Sequence, residues 1–68
     1  MSGWFRDHRI EWIAEIVRVY GFINREHVER KFQVSTPQSS YDIRDAMERY
    51  PNLMRYNPST KRYEAIEP

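Results

Sequence analysis

The run Asn24-Arg25-Glu26-His27-Val28-Glu29-Arg30-Lys31-Phe32-Gln33-Val34-Ser35-Thr36-Pro37-Gln38-Ser39-Ser40-Tyr41 decides the fold of this chain. Asn24 is a residue type that caps helices, because its side-chain oxygen can take up an otherwise unpaired amide of the first turn. A helix is expected from there to about Phe32, with Val28 and Phe32 at i, i+4 on its inner face and Arg25, Arg30 and Lys31 outside. Gln33-Val34-Ser35 leaves room only for a tight turn. Ser35 with Gln38 fits a capping box; alternatively Thr36 is the cap and Pro37 takes the first helical position. Either way a second helix starts within one residue. It is expected to reach Arg49 or Tyr50, where Pro51-Asn52 stops it, with Ser39, Ile43, Ala46, Met47 and Tyr50 lining its inner face. Two helices joined by about three residues make a helix-turn-helix unit.

Upstream, Ile10, Ile13, Ala14, Val17 and Tyr20 recur at helical spacing and predict a helix over about Asp7 to Tyr20, with a possible earlier start near Ser2. Gly21 is expected to close it in a left-handed conformation. Phe5, Trp12 and Val19 recur every seven residues, with Ile16 between the two stripes. This second seam is either a dimer interface or, at Trp12, the edge of the domain's own core. Phe22-Ile23 reads as a short extended link.

Downstream, Leu53-Met54-Arg55-Tyr56 and Lys61-Arg62-Tyr63-Glu64-Ala65 read as two strands around the turn cluster Asn57-Pro58-Ser59-Thr60. A lone hairpin is marginal in water, so it must dock on the helices, with Leu53, Tyr56 and Tyr63 as anchors. The whole order predicts a mainly α single domain over residues 1–68, a winged helix-turn-helix of three helices and a two-stranded wing. The residues around Ile66 to Pro68 are expected to fray.

Composition narrows the function. The chain has 68 residues, no cysteine, and two histidines, His8 and His27. Disulfides are excluded, and two histidines alone cannot build a tetrahedral zinc site. A domain this small often leans on a partner, which leaves a second subunit as the candidate. No signal-type or membrane-length apolar run is visible, so a cytoplasmic protein without a membrane role is expected. The net charge is only +1, but four of the eleven Lys and Arg lie between Arg49 and Tyr63 with no acid among them. That stretch carries +4, leaving seven cations against ten acids, −3, in the rest. Phosphate attraction acts at short range in salt, so this local excess outweighs the total.

In a winged unit the third helix enters the major groove with its first turns at the base edges. Thr36, Gln38, Ser40, Tyr41 and Arg44 supply hydroxyls, an amide and a guanidinium for that task. A glutamine amide can bond adenine twice, and an arginine can do the same to guanine. The same residues also suit ordinary capping and surface positions. Of the two small residues Ser39 and Ser40, one permits close packing and the other close approach to DNA. Asp42, Asp45 and Glu48 would repel phosphate and are expected on the side turned away. Arg55, Lys61 and Arg62 make the hairpin a basic wing for the sugar-phosphate backbone, against the alternative of a solvated cover for the core. Arg25, beside the free amides of the second helix, could hold one more phosphate. Catalysis finds no support: no nucleophile, base and orienting group can be assembled from spacing, and Gly3 and Gly21 do not make a phosphate loop. No cofactor or small-molecule ligand is indicated.

Three stretches also carry a resemblance. Gly21-Phe22-Ile23-Asn24-Arg25-Glu26-His27-Val28 is similar to the G-x-I-N-R-x-x-(L/V) run of bacterial WYL-domain transcriptional regulators. Phe32 through Ser40 resembles their F-x-(I/V)-S-x-P-Q-A-S run, with Ser39 in place of the usual alanine. Leu53 through Tyr63 resembles their wing, L-x-Y-(D/N)-x-S-x-K-x-Y. The likeness covers about residues 8 to 65. It implies a homodimeric repressor whose N-terminal winged domain reads an inverted repeat, and it supports a DNA role for Thr36, Gln38, Ser40, Lys61 and Arg62. Those regulators continue into a ligand-sensing WYL domain, which is absent here, so ligand sensing does not carry over. The chain is expected to be either a stand-alone module or a fragment of a longer regulator. The competing expectation is a protein-interaction module that uses the Phe5-Trp12-Val19 seam or the third helix as its surface.

Overall fold

A computed structural model describes residues 3–66; the earlier helix start read near Ser2 and all but Ile66 of the end expected to fray lie outside them. The order is α1 (Gly3–Tyr20), β1 (Phe22–Ile23), α2 (Arg25–Phe32), α3 (Thr36–Arg49), β2 (Met54–Asn57) and β3 (Arg62–Ala65). The first helix begins a turn before Asp7. Gly21 ends it as expected, at φ +88°, with its amide donating to the Val17 carbonyl at 2.9 Å. A Cβ there would meet nothing within 4 Å, so backbone conformation rather than space calls for glycine.

The link Phe22–Ile23 is a third strand rather than a bare connector. It pairs antiparallel with β3, giving a sheet of order β1-β3-β2 in place of the expected two-stranded hairpin. That pairing answers the hairpin's marginal stability: three strands join in one sheet, and Ile23 pins it to the helices. The turn sits one residue later than read, at 58–61 rather than 57–60, because Asn57 belongs to β2. Lys61 lies outside the strand in a left-handed conformation, φ 57°, with its amide on the Asn57 carbonyl at 2.7 Å.

The core is a single cluster of Ile10, Ile13 and Val17 from α1, Ile23 from β1, Val28 from α2, Ile43 and Ala46 from α3, and Met54 from β2. Two sequence expectations fail here. Tyr20 is 69% exposed rather than part of the buried stripe, because the chain turns away at Gly21 before anything covers it. Tyr56 is also exposed; Met54 is the buried wing anchor, with Leu53 and Tyr63 packed beside it as expected.

Candidate nucleic-acid interface

Helix α3 starts where the two capping alternatives placed it, and Ser35 is the cap. Its hydroxyl accepts from the Gln38 amide at 3.2 Å, and Pro37 sits in the first turn. Helix α2 has the fuller capping box. Asn24 Oδ1 accepts from the His27 amide, and His27 Nδ1 accepts from the Asn24 amide, both at 3.2 Å. His27 is therefore a satisfied cap residue. Gln33, in a left-handed conformation at φ 56°, turns the chain between the helices.

Charge is sorted around α3. Asp42 is fully buried, and Arg9 grips it with Nε on Oδ2 at 2.6 Å and Nη2 on Oδ1 at 3.2 Å. Asp45 takes the Arg6 guanidinium at 2.5 Å. Both acids thus face α1, as expected, and are neutralised there. Glu48 differs: it is exposed, and its spacing from Tyr41 and Arg44 puts it on their side of the helix, one turn beyond Arg44. The outward face at the start of α3 carries Thr36, Tyr41 and Arg44, all exposed, with the Arg44 guanidinium 5.5 Å over the Tyr41 ring. Ser39 is the buried serine, donating to the Thr36 carbonyl at 2.7 Å, and Ser40 is partly exposed. Gln38 is partly buried, and its Nε2 donates to Asp42 Oδ1 at 2.9 Å.

The basic stretch between Arg49 and Tyr63 does not fold into one patch. Arg49 turns to α1, with Asp7 at 2.7 Å and Glu11 at 3.1 Å. There the Tyr50 hydroxyl, then Arg49, hold the Glu11 carboxyl below its usual range. Strand alternation and the left-handed turn at Lys61 then split the wing. Lys61 and Tyr56 line one cleft with Thr36, Arg25, Glu26 and Glu29. Arg55 and Arg62 lie across the sheet from it, around a separate hollow with Tyr20, Phe22 and Glu64. The Arg62 guanidinium sits 4.2 Å from the centre of the Phe22 ring and pairs with Glu64 at 3.0 Å. The structure therefore brings Thr36, Arg25 and Lys61 together, and leaves Arg55 and Arg62 apart from them.

On α1, Phe5 and Val19 are exposed. Trp12 and Ile16 are partly buried, with the Trp12 ring edge-on to Phe32 at 5.3 Å. Trp12 thus packs at the edge of the domain's own core while staying partly exposed. Residues that the sequence reading passed over are Arg6, Arg9 and Glu64. The matched i, i+3 spacing of Arg6 with Arg9 and of Asp42 with Asp45 was a legible signal that two helices exchange charge. Glu64 stands immediately after the acid-free stretch, so ending that stretch at Tyr63 hid it.

No helix among the described residues is long and apolar enough to cross a membrane. A search of curated proteins found no match. Residues 6–68 match the family model of the BrxR transcriptional regulator winged helix-turn-helix domain. The likeness to a bacterial regulator's winged domain and the three-helix winged fold are borne out together, and the chain belongs to the BrxR transcriptional regulator winged helix-turn-helix domain family.

Proposed function

We propose that this domain is a cytoplasmic, sequence-specific binder of double-stranded DNA that represses transcription as a homodimer. The observation that carries this reading is the sorting of charge on α3. Asp42 and Asp45 are folded against Arg9 and Arg6, so the first turns of the outward face offer Thr36, Ser40, Tyr41 and Arg44 with no free carboxylate among them. That face suits a major groove, where Arg44 can take a guanine edge; Gln38, at its flank beside Asp42, can take a base with an exocyclic amine. Lys61 and Arg25 flank the helix start across one cleft and fit the adjoining phosphates. Arg55 and Arg62 reach DNA in this reading only if the duplex passes the outer side of the sheet.

The homodimer would form along α1 through Phe5 and Val19, with Trp12 and Ile16 at the centre of the seam. It would set two recognition helices about one helical turn apart on a palindromic site. Selection of bound duplexes from a random pool, with molar mass measured in solution, tests both statements. An inverted-repeat consensus bound by two chains is expected. A monomeric mass on the selected site removes the dimer, and the absence of any selected sequence removes the DNA reading. Arg44→Ala is expected to relax base choice at one position by about 1–3 kcal/mol.

A second reading, a protein-interaction module, is favoured by one feature. Trp12, Ile16, Tyr20 and Phe22 line a largely apolar groove of about 420 Å³ between α1 and α2. A protein partner retained at high salt by a chain that binds no duplex would establish it.

A further inference from the structure

Gln38 is a candidate base-reading residue, yet its amide is already engaged within the protein. An ionised carboxylate only accepts hydrogen bonds, so Asp42 dictates which end of the Gln38 amide turns toward it. Nε2 donates to Asp42 Oδ1 at 2.9 Å. Asp42 cannot turn away from this duty, because Arg9 holds both its oxygens, with Nε at 2.6 Å and Nη2 at 3.2 Å. The carboxylate is fully buried, and the Arg9 side chain is 18% exposed. Fixing Nε2 also fixes Oε1 at the opposite end, with no protein hydrogen bond to it among the described residues. The second Nε2 hydrogen remains free beside it.

We propose that Asp42, clamped by Arg9, is a positioning residue for recognition: it locks the Gln38 amide so that its carbonyl oxygen and one amide hydrogen are offered to a base edge in a single orientation. That arrangement pairs with an acceptor and an exocyclic amine side by side, as adenine presents N7 and N6 in the major groove. A freely turning amide would also pay rotamer entropy on binding and would tolerate the reversed pattern. The inference rests on the DNA reading above and adds to it a specificity device that touches no nucleic acid itself.

Two measurements test it. In the free chain, the Gln38 side-chain amide protons are expected to exchange roughly threefold or more slowly than those of Asn52, which is exposed and has no protein partner among the described residues. Equal exchange overturns the lock. In duplex selection, Gln38→Ala and Asp42→Asn are expected to erase preference at the same base pair. A discrimination on the order of tenfold should fall to within about twofold, with the salt dependence of binding retained. Asp42→Asn made in the Gln38→Ala background should then change base preference no further, since Asp42 acts only through that amide. Unchanged preference in the single Asp42→Asn chain, or a further loss in the double variant, overturns the positioning role. If that variant fails to fold, the exchange measurement on the unaltered chain decides the lock alone. A protected Gln38 amide in a chain that selects no duplex sinks the DNA reading and the recognition role with it. An unprotected amide in a chain that does select one sinks the positioning role alone.

Discussion

Lys61 and Arg62 are adjacent in the chain, and they finish on opposite sides of the wing. Lys61 sits in the turn beside the cleft that holds Thr36 and Arg25. Arg62 opens the strand, lies over the Phe22 ring and is paired with Glu64. The first is a cation with no ion pair among the described residues; the second is spent on holding the sheet together. The difference teaches that a run of like charge is not a surface patch. The left-handed turn at Lys61 points it away from the strand that Arg62 opens, period-two alternation separates Arg55 from Tyr56 in the same way, and one acid nearby settles which cations stay free.

The largest effect that would break this contrast is on DNA affinity. Lys61→Ala is expected to weaken binding to all duplexes roughly tenfold at low salt and to lower the salt slope by about one. Arg62→Ala should leave both nearly unchanged. Anisotropy titrations at several salt concentrations check this, and equal losses in the two variants would erase the distinction.

A smaller effect sharpens the outer side. Strand β1, which carries Phe22 under Arg62, hangs on the left-handed Gly21, whose carbonyl accepts from the Ala65 amide at 2.8 Å. Gly21→Ala is expected to destabilise the fold by about 1 kcal/mol through backbone strain alone, read as a lower thermal midpoint. Loss of the Asn24 cap by Asn24→Ala should cost a similar amount, about 1 kcal/mol, and act on the cleft side instead.

The smallest effect is one of pH. Asn57, then Thr60 and Arg62, donate to Glu64 and hold its carboxyl below the ordinary range. A lowered folded-state value means that this stabilisation is full above the unfolded value, near pH 4.3 for a free glutamate, and is lost as pH falls through the folded one. Amide exchange in the wing turn should therefore quicken on acidification below about pH 4. Glu64→Gln should remove that pH response while leaving the helices untouched. A response that persists in the variant would assign it to another carboxylate, Glu11 first, whose value is also lowered.

Much of the architecture was legible in the sequence. The helix spacing of Ile10, Ile13, Ala14 and Val17, the caps at Asn24 and Ser35, and the glycine at 21 are local signals, and each acts within one or two turns of chain. They set three helices and the tight turn between the second and third. The wing was legible as a hairpin because its turn residues and alternating strands lie within about a dozen positions.

The site was only half legible, for a different reason. Whether Phe22–Ile23 is a link or a strand depends on Glu64 and Tyr63, some forty residues away. Whether Asp42 repels DNA or organises the helix that meets it depends on Arg9, from another helix. Local backbone preference and hydrophobic period are written residue by residue and survive in a one-dimensional string. The partner of a charge is chosen by packing between distant segments. The sequence alone therefore determined the three helices, the hairpin and the turn chemistry that joins them; tertiary structure alone decided that Phe22–Ile23 is a strand, which cations remain free, which acids are silenced and which face of the wing stands beside the recognition helix.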